Sequence, residues 1–455
     1  MFQRILVANR GEIALRIIRA CKELNIATVA VYSKVDRDSL HVRFADEAVC
    51  IGNSAPDDSY LNIPRIISAA EITNADAIHP GYGFLSENPR FAEICEACEL
   101  TFIGPSSSMI QAMGDKAVAR RMMIEARVPT VPGTEDTVED VDEAFKQAEE
   151  IGFPLVIKAA AGGGGRGIRV VRDSPEFKEQ FQIAYAEAAR VFNNSSLYLE
   201  SFIEKARHVE IQLFGDSHDT IVHLGERDCS IQRRRQKLIE ESPSPFVDTE
   251  FRSLLGETAV RGAQAIGYQN AGTMEFLVTD DHRFYFMEMN TRIQVEHPVT
   301  ELVTHQDLVR EQIRVAAGER LGFCQNSVSF RGHAIECRIN AEDPNRNFMP
   351  STGQITSFHV PGGYGIRVDS HVHAEYVVSP YYDSMLAKLI VWGKDRKEAL
   401  TRTQRALEEF IIEGVKTTIP FHSRMLKDPR FVDGQAHITL VEDMLAADQG
   451  TVAGS

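Results

Sequence analysis

The most informative segment of the chain carries five polar residues at every second position. They are Glu288, Asn290, Arg292, Gln294 and Glu296. Because side chains alternate between the two faces of an extended strand, this spacing predicts a strand that continues to residue 296, with one polar face. A solvated surface strand shows the same alternation. The order carboxylate, amide, guanidinium, amide, carboxylate instead favours a row of ligands about 26 Å long, enough for several reactants.

The same segment predicts a site for a divalent cation. The stretch GTMEFLVTDDHRFYFMEMN reads as a hairpin that turns near Asp281 and His282, which places Glu275 directly opposite Glu288. Carboxylates that face each other across a ladder repel, and a divalent cation between them removes the repulsion. Oxygen ligands suit Mg²⁺ or Mn²⁺, and Asn290 can add another oxygen. Two solvated carboxylates that splay apart are the alternative.

A glycine-rich loop lies earlier in the chain. The stretch FPLVIKAAAGGGGRGIRVVRD has Gly162, Gly164 and Gly167 in GxGxxG spacing, but strand-like residues follow where a dinucleotide-binding loop opens a helix. It also lacks the Gly-Lys-Ser/Thr of a Walker loop. Two strands around such a turn, with Lys158 before it and Arg166 inside it, predict a mobile flap that lays backbone N–H groups over phosphates. A flexible hairpin tip is the alternative.

A metal site between two carboxylates, a phosphate-binding flap and nearby lysines together imply a nucleoside triphosphate. Mg²⁺ is usually bound by one or two carboxylates together with phosphates. Arg292 and Gln294 could then hold a small anion, and Glu296 could take a proton from it. The stretch ERDCSIQRRRQK supplies a local positive cluster of Arg233, Arg234, Arg235 and Lys237.

Length and composition exclude several classes of protein. The chain has 455 residues, 43% of them hydrophobic and 25% charged, which is typical of a globular protein of about two to four domains. The net charge of −16 disfavours nucleic acid as a partner. No apolar run could span a membrane, and the N-terminus enters a strand-like run at once, so we expect a cytoplasmic protein without a targeting peptide.

The cysteines do not indicate a disulfide framework, because seven of them are scattered over a long chain. Cys95 and Cys98 have CxxC spacing, but the stretch around them fits one face of a helix. We therefore interpret them as helix residues rather than as a zinc or redox site.

The elements that must position these residues follow from the hydrophobic pattern. Strand 4–9, helix 11–24 and strand 27–32 form one βαβ unit, and similar alternation through about residue 112 predicts an open, doubly wound parallel sheet. A helix at 115–127 leads to PTVPG, which marks a change of unit. Further strands are predicted at 207–214, 220–226 and 272–279, and further helices at 395–410 and 435–447.

These motifs resemble those of biotin carboxylase, an ATP-grasp enzyme, along nearly the whole chain. The matching stretches are ANRGEIALRI, HPGYGFLSEN, MGDK, KAAAGGGGRG, RHVEIQ, GERDCSIQRRRQK, EMNTRIQVEHPVTE, GHAIECRINAEDP and PYYDSMLAKL. The resemblance implies an α/β fold with α+β elements. It is an ATP-grasp fold with three parts: a doubly wound N-terminal domain, a mobile glycine-rich lid and a mixed C-terminal domain. The implied units are an N-terminal domain 1–114, an ATP-grasp domain 115–330 with its lid at 133–203, a C-terminal domain 331–447 and a frayed tail 448–455.

The family's reaction is an ATP-dependent carboxylation. ATP phosphorylates bicarbonate to carboxyphosphate, which breaks down to CO₂ and phosphate, and the CO₂ carboxylates N1 of biotin. The resemblance therefore implies ATP, Mg²⁺ or Mn²⁺, and biotin as a substrate on a carrier.

The resemblance also assigns roles to individual residues. For ATP it implies Lys116, Lys158, Gly164, Gly165, Glu200, Ser201, Phe202, Ile203, His208, Gln232, Arg235, Glu275, Leu277 and Glu288. For the metal it implies Glu275, Glu288 and Asn290. For bicarbonate it implies Lys237, Arg292, Gln294 and the Val295 backbone, with Glu296 as general base. For biotin it implies Tyr82, Gly83 and Arg338, of which Arg338 would stabilise the enolate.

Three positions depart from the usual motif. Ser201 stands where a lysine is frequent, and the contacts there are largely through the backbone. Arg235 stands where bacterial members commonly have a histidine, which makes the charge there independent of pH. Ala161 replaces a frequent fifth glycine, which would stiffen the flap slightly.

The resemblance also implies partners. The chain contains no AMKM-like biotinylation site and no carboxyltransferase domain, so biotin would arrive on a biotin carboxyl carrier protein and carboxyltransferase subunits would act next. Acetyl-CoA carboxylase, which supplies malonyl-CoA for fatty acid synthesis, is the expected assembly, and pyruvate or another acyl-CoA is the alternative acceptor. A homodimer is expected, since GGYGIR with Arg16 and Glu23 resembles the family's interface.

Two other functions compete with this interpretation. A purine-pathway ATP-grasp carboxylase also makes carboxyphosphate, but the stretches ECRINAEDP and YYDSM disfavour it. A non-catalytic nucleotide-binding subunit would require loss of a metal ligand or of the base, whereas Glu275, Glu288 and Glu296 are all present.

Overall fold

The N-terminal part of the chain is an open sheet of five parallel strands, as its sequence pattern predicts. The computed structural model describes residues 1–134, 136–160, 167–192 and 194–452. The sheet has the order β3-β2-β1-β4-β5 and consists of β1 Arg4–Val7, β2 Ala27–Ser33, β3 Glu47–Gly52, β4 Ala77–His79 and β5 Thr101–Phe102. Its helices are α1 Gly11–Glu23, α2 Leu40–Phe44, α3 Ile63–Ile72, α4 Pro89–Ala97 and α5 Ser107–Gly114. Cys95 is buried in α4, as predicted, whereas Cys98 is the first residue after the end of this helix.

A small antiparallel sheet follows the linking helix α6 Lys116–Glu125. Its elements are α7 Val141–Ile151, β6 Leu155–Ala159, β7 Ile168–Val171, α8 Phe177–Phe192 and β8 Leu197–Ser201, with strand order β7-β6-β8. The strands before and after the glycine-rich loop therefore pair as predicted. The loop itself, with Gly164, Gly165 and Arg166, lies outside the described residues.

A large antiparallel sheet of eight strands forms the centre of the molecule, in the order β13-β12-β9-β10-β11-β14-β21-β19. Its strands are β9 Arg207–Gly215, β10 Ile221–Arg233, β11 Gln236–Ser242, β12 Asn270–Val278, β13 Phe284–Asn290, β14 His333–Asn340, β19 Ile366–Ser370 and β21 Met385–Gly393. Ile239 of β11 pairs with Cys337 of β14. The sheet thus runs without a break across the predicted domain boundary at residue 330.

The remaining elements pack around this sheet. The helices are α9 Thr249–Ala265, α10 His297–Thr304, α11 Leu308–Ala316, α12 Arg396–Glu409, α13 Ile419–Met425, α14 Pro429–Val432 and α15 Leu440–Val452. The short strands are β15 Glu342–Asp343, β16 Met349–Pro350, β17 Gly353–Gln354, β18 Ser357–His359, β20 Val377–Val378 and β22 Ile411–Glu413. None of the helices in the described part of the chain has the length and apolar character needed to cross a lipid bilayer.

The C-terminal tail differs from the prediction. Helix α15 begins at Leu440 rather than at 435 and continues to Val452 rather than ending at 447, so the predicted bounds of this helix are wrong. The expected fraying of the tail stays a prediction. Asp448 accepts hydrogen bonds from Arg424 on α13, at 2.5 and 2.6 Å, which ties this last turn to the domain. Residues 453–455 lie outside the described part of the chain.

Both faces of the large sheet are buried along β9. Val209, Ile211 and Leu213 lie in an apolar core. The alternating residues Glu210 and Gln212 are fully buried as well, at 0% exposure. Polar groups that water does not reach must find partners inside the protein. The polar face of the sheet is therefore a network of ion pairs, and it forms the floor of the site described below.

The hairpin of β12 and β13 confirms the predicted pairing of Glu275 with Glu288. Nearer the turn, a bulge shifts the register by one residue, so that Leu277 pairs with Tyr285. Strand β13 ends at Asn290, and the prediction that it continues to 296 is wrong.

The strand ends early because its next residue bonds elsewhere. The backbone N–H of Thr291 donates to Glu87, at 3.0 Å, instead of to a neighbouring strand. The chain then turns into α10, whose first residue, His297, follows Glu296. The polar residues after Asn290 therefore converge on one region rather than extending in a row.

Arg10 and Asp36 form a buried ion pair, and we expect its loss to lower the stability of the fold strongly. Arg10 donates two hydrogen bonds to Asp36, at 2.7 and 2.8 Å, and the Tyr60 hydroxyl donates a third, at 2.7 Å. Asp36→Asn should lower the free energy of unfolding at pH 7 by about 3 kcal/mol, because Arg10 then stays buried without a counter-charge. Chemical denaturation measures this, and Asp142→Asn, at an exposed pair with Lys178, should leave the midpoint unchanged.

The difference in free energy of unfolding between the wild type and Asp36→Asn should depend on pH, with a definite sign. Burial alone would raise the pKa of Asp36, but Arg10 lowers it to about 2. The ion pair thus stabilises the fold fully above the unfolded pKa of about 3.9 and loses its effect as the pH falls towards 2. A constant difference between the two proteins over this range would contradict the assignment.

Candidate active site

One cavity of about 870 Å³ brings nearly all of the predicted site residues together. It lies between the N-terminal sheet, the small sheet and the polar face of the large sheet. The predicted residues in its wall are Tyr82, Gly83, Lys116, Lys158, Glu200, Ser201, Phe202, Ile203, His208, Gln232, Arg235, Lys237, Glu275, Leu277, Glu288, Asn290, Arg292, Gln294, Val295 and Arg338. Glu296 is fully buried immediately behind the wall, in contact with Lys237 and Arg338.

Lys237 is the centre of the cavity floor. Its ammonium nitrogen lies 2.6 Å from a carboxylate oxygen of Glu210, 3.0 Å from one of Glu275 and 2.6 Å from one of Glu296. Burial opposes the positive charge, but the three carboxylates raise the pKa of Lys237 well above its ordinary value. Lys237 is therefore charged at neutral pH. The sequence analysis missed Glu210, although its alternation with Val209 and Ile211 in RHVEIQ marks it as a residue on the polar face.

Glu275 is held in its ionised form. The Asn290 and Gln294 amides each donate to its Oε1 at 2.9 Å, and His208 Nε2 lies 3.0 Å from its Oε2. Burial alone would raise the pKa of Glu275, but Lys237 and His208 lower it well below the ordinary value.

Glu288, on the opposite strand, lies beside the negative charge of Glu275. Burial and then the charge of Glu275 raise the pKa of Glu288. A cation between the two carboxylates would lower it, and Asn290 on the same strand offers an amide oxygen. The donor set of two carboxylates and an amide thus fits Mg²⁺ or Mn²⁺. His208, Glu210 and Glu275 also bring ligand atoms within 4.8 Å of one another.

Glu296 lies between two cations. Lys237 contacts its Oε1 and Arg338 Nη2 donates to its Oε2 at 2.9 Å. Burial alone would raise the pKa of Glu296, but these two cations lower it well below the ordinary value. Arg338 also donates from Nε to Glu240, at 2.6 Å. The sequence analysis missed Glu240, whose partner is 98 residues away in the chain.

Arg292 is oriented by a residue of the N-terminal domain. Its Nε donates to Glu87 at 2.9 Å, and its Nη2 donates to Asn290 Oδ1 at 3.2 Å. Glu87 lies within the stretch HPGYGFLSEN, but nothing in its spacing connects it to Arg292. It is a further residue that the sequence analysis missed.

The opposite end of the cavity contains cations suited to phosphates. Lys158 on β6 pairs with Glu200 on β8, and Arg120, which the sequence analysis missed, lies 3.4 Å from the same carboxylate. Burial lowers the pKa of Lys116, and Lys158 adds to this effect, whereas Glu288 opposes it. Anionic phosphates near these lysines would favour their charged forms.

The predicted positive cluster is only partly correct. Arg235 and Lys237 line the cavity. Arg233 instead donates to Asn347, and the backbone N–H of Arg234 donates to Glu442. The sharp turn between β10 and β11 points these side chains in different directions, so adjacency in sequence does not bring them together.

The chain matches three family models in succession. Residues 1–110 match "Biotin carboxylase, N-terminal domain", residues 115–323 match "Carbamoyl-phosphate synthase L chain, ATP binding domain", and residues 336–443 match "Biotin carboxylase C-terminal domain".

Curated relatives align over nearly the full length. "Biotin carboxylase" of Nostoc sp. is 57% identical over 97% of this chain and 99% of its own. A pyruvate carboxylase subunit of Methanothermobacter thermautotrophicus is 54% identical over 97% of this chain and 90% of its own.

Solved structures agree with the fold. The biotin carboxylase domain dimer of Hydrogenobacter thermophilus 2-oxoglutarate carboxylase, in complex with MgADP, ADP and bicarbonate, has a TM-score of 0.94 and 52% identity over 97% of this chain and 98% of its own. A Campylobacter jejuni biotin carboxylase structure has a TM-score of 0.95 and 47% identity over 97% of this chain and 99% of its own.

The parallel N-terminal sheet, the antiparallel sheets and the cavity between them define an ATP-grasp enzyme. With full-length relatives at 57% identity and all three family models matched, the chain belongs to the biotin carboxylase family.

The buried carboxyl group of Glu240 should make the free energy of unfolding depend on pH between about pH 5 and 7. Burial raises the pKa of Glu240 to about 7, although Arg338 opposes the rise. Between the unfolded pKa of about 4.3 and pH 7, the folded protein binds a proton that the unfolded chain does not. The free energy of unfolding should therefore fall with rising pH, relative to Glu240→Gln, by up to about 1.4 kcal/mol per pH unit between pH 5 and 7. Urea denaturation of both proteins measures this, and parallel pH curves would contradict it.

Proposed function

We propose that the chain uses ATP and bicarbonate to carboxylate biotin on a separate carrier protein, as the biotin carboxylase subunit of an acetyl-CoA carboxylase. The observation that carries this proposal is the position of Glu296. Its ionised carboxylate lies between Lys237 and Arg338 beside the same cavity that holds the Glu275 and Glu288 pair. A base, an anion site and a metal site therefore adjoin one another.

The nucleotide occupies the end of the cavity near Glu200. Lys116 and Lys158 contact its phosphates, and backbone groups of residues 200–203 contact its base. His208, Gln232, Arg235 and Leu277 complete this part of the pocket. Gly164 and Gly165 lie outside the described residues, and their contact with ATP stays a prediction from the sequence. Glu275, Glu288 and Asn290 hold Mg²⁺ or Mn²⁺, which neutralises charge on the phosphates.

Bicarbonate is held by Lys237, Arg292, Gln294 and the Val295 backbone. Glu296 accepts the bicarbonate proton as an oxygen of the anion attacks the γ-phosphorus of ATP; the bond from this phosphorus to the bridging oxygen breaks, ADP leaves and carboxyphosphate forms. Glu87 supports this step, because it fixes the direction of the Arg292 guanidinium. Positioning and charge stabilisation are the main contributions of the protein to such a transfer.

Biotin occupies the region near Arg338. Carboxyphosphate breaks down to CO₂ and phosphate, and N1 of biotin gives its proton to the released phosphate. The Arg338 guanidinium stabilises the negative charge that this leaves on the ureido oxygen, and N1 then attacks CO₂. Tyr82 and Gly83 seat the ureido ring. Gly83 has a φ of 70°, a conformation that suits glycine, and the space where a side chain would begin is open.

The identity of the final acceptor is the finer part of the proposal. Relatives named for other acceptors, namely the pyruvate carboxylase protein of Methanothermobacter thermautotrophicus and the "2-oxoglutarate carboxylase small subunit" of Hydrogenobacter thermophilus, are 54% and 52% identical. Relatives named simply biotin carboxylase, from Nostoc sp. and Bacillus subtilis, are 57% identical. Acetyl-CoA is kept as the proposed acceptor from the sequence resemblance, pyruvate or another acyl-CoA is the alternative, and a cytoplasmic location stays a prediction.

A homodimer is part of the same proposal. The Hydrogenobacter thermophilus structure is described as a domain dimer. Tyr364 of the GGYGIR stretch is 76% exposed. Arg16, in contrast, is already paired with Glu301 and Asp307 of its own chain.

The first test of the function is ATP hydrolysis with Mg²⁺ and bicarbonate, with and without free biotin. We expect hydrolysis to need bicarbonate and biotin to stimulate it, with labelled bicarbonate trapped as carboxybiotin. If an aminoimidazole ribonucleotide stimulated hydrolysis instead of biotin, the result would indicate a purine-pathway carboxylase. Reconstitution with carrier and carboxyltransferase subunits, offered acetyl-CoA or pyruvate, then identifies the acceptor.

Two variants should separate the two halves of the reaction. Glu296→Gln should lower bicarbonate-dependent ATP cleavage about 100-fold or more, because the base is lost, while ATP affinity stays within about twofold, because Glu296 is not one of the residues proposed to contact ATP. Arg338→Met should reduce biotin carboxylation at least about tenfold more than biotin-independent ATP cleavage. Equal losses of both activities in Arg338→Met, or full activity in Glu296→Gln, would show that the roles are assigned wrongly.

A further inference from the structure

Lys388 is a fully buried lysine beside the site to which neither the sequence analysis nor the proposed mechanism gives a role. It lies on β21 with 0% exposure. Its Nζ donates to the backbone carbonyl of Val295 at 2.8 Å and lies 3.1 Å from Glu12 Oε1. The Tyr82 hydroxyl donates to the same oxygen of Glu12. The contacts of one ammonium group thus link all three parts of the chain.

The position of Lys388 in the sheet is electrostatically unfavourable. It stands directly opposite Arg338 on the ladder between β14 and β21. Like charges that face each other across a ladder destabilise the sheet. Each cation has its own carboxylates, Glu12 for Lys388 and Glu240 with Glu296 for Arg338. The arrangement therefore needs a reason other than strand pairing.

The two opposed cations hold the same two-residue segment from different sides. Arg338 contacts the side chain of Glu296, and Lys388 contacts the main chain of Val295. Since a peptide unit is planar, the Val295 carbonyl and the Glu296 N–H turn together. A donor on that carbonyl consequently fixes the backbone from which the Glu296 carboxylate extends.

Stability alone does not explain the buried pair of Lys388 and Glu12. Well-packed apolar residues often replace a buried ion pair with no loss of stability. They could not, however, donate a hydrogen bond to the Val295 carbonyl. Burial opposes the charge of Lys388, but Glu12 and then Glu336 raise the pKa of this lysine, so that the donor is charged at neutral pH.

We propose that Lys388 is a positioning residue for the bicarbonate step: it holds the Val295–Glu296 peptide in place and connects it, through Glu12, to Tyr82 at the biotin end. The proposal rests on the proposed function, in which Val295 and Glu296 contact bicarbonate. A displacement of about 1 Å at a reacting group is enough to lower a rate about 100-fold.

The test replaces the ion pair by a neutral pair of similar shape, Lys388→Met with Glu12→Gln. The ion pair is then removed as a unit. Burial raises the pKa of the neighbouring Glu336 well above its ordinary value, so this carboxyl can take up a proton and the fold should be retained, whereas the hydrogen bond to Val295 is lost. In the absence of biotin we expect kcat/KM for bicarbonate in ATP hydrolysis to fall about 10- to 100-fold. The Kd of ATP should change less than about twofold.

A matched control removes an equivalent pair elsewhere. Arg252 and Glu226 form an ion pair at 2.7 Å, with Glu226 at 0% side-chain exposure, and neither lines the cavity. The double variant Arg252→Met with Glu226→Gln should keep kcat/KM for bicarbonate within about twofold of the wild type. The single variant Lys388→Arg, which retains a donor, should recover part of the activity that the neutral pair loses.

Hydrogen exchange gives a readout that does not depend on activity. In the neutral pair, backbone amides of residues 293–297 should exchange at least about tenfold faster, while those of β12 and β13 stay unchanged. Unchanged exchange there, or kcat/KM within about twofold of the wild type, would overturn the role of Lys388. A wild-type protein without bicarbonate-dependent hydrolysis would instead overturn the proposed function, and the exchange result would still decide whether Lys388 holds this peptide.

Discussion

The site depends on one ammonium group surrounded by three buried carboxylates. Lys237 contacts Glu210, Glu275 and Glu296 at 2.6 to 3.0 Å. Carboxylates about 5 Å apart repel by about 3 kcal/mol per pair at an effective dielectric constant of about 20. Each attraction to the lysine at about 3 Å is worth about 5 kcal/mol on the same scale. The attractions to the lysine thus exceed the repulsion among the carboxylates, so the cation holds the cluster together.

The same balance explains how an anion could bind in an acidic protein. The chain carries a net charge of −16, yet Lys237, Arg292 and Arg338 all face or adjoin the cavity. Each of these cations is held by a carboxylate, Arg292 by Glu87 and Arg338 by Glu240. An arriving anion competes with these internal partners instead of meeting free positive charge, which favours an anion of defined shape over any anion in solution.

The sequence was most informative where contacts are local. The pairing of Glu275 with Glu288 could be predicted because the two residues belong to one hairpin, and the structure confirms it. The end of β13 could not, because Thr291 bonds to Glu87, 204 residues earlier in the chain. Glu240 is brought close to its partner Arg338 by the pairing of strands that are distant in sequence, which no local pattern shows. Alternation correctly identified the polar face of β13 up to Asn290, but neither the path of the chain beyond it nor which polar groups meet.

The pairing of β11 with β14 means that a shortened chain without β14 would expose an edge of the large sheet. The Ile239 to Cys337 register joins the nucleotide-binding part to the C-terminal part by backbone hydrogen bonds. A fragment that stopped at residue 330 would leave β11 as an open edge, with the apolar side chains of Leu238 and Ile239 beside unpaired N–H and C=O groups. Such edges pair readily with other chains. Although the sequence divides cleanly into three family matches, the shorter pieces would be prone to aggregate unless β11 found a substitute strand.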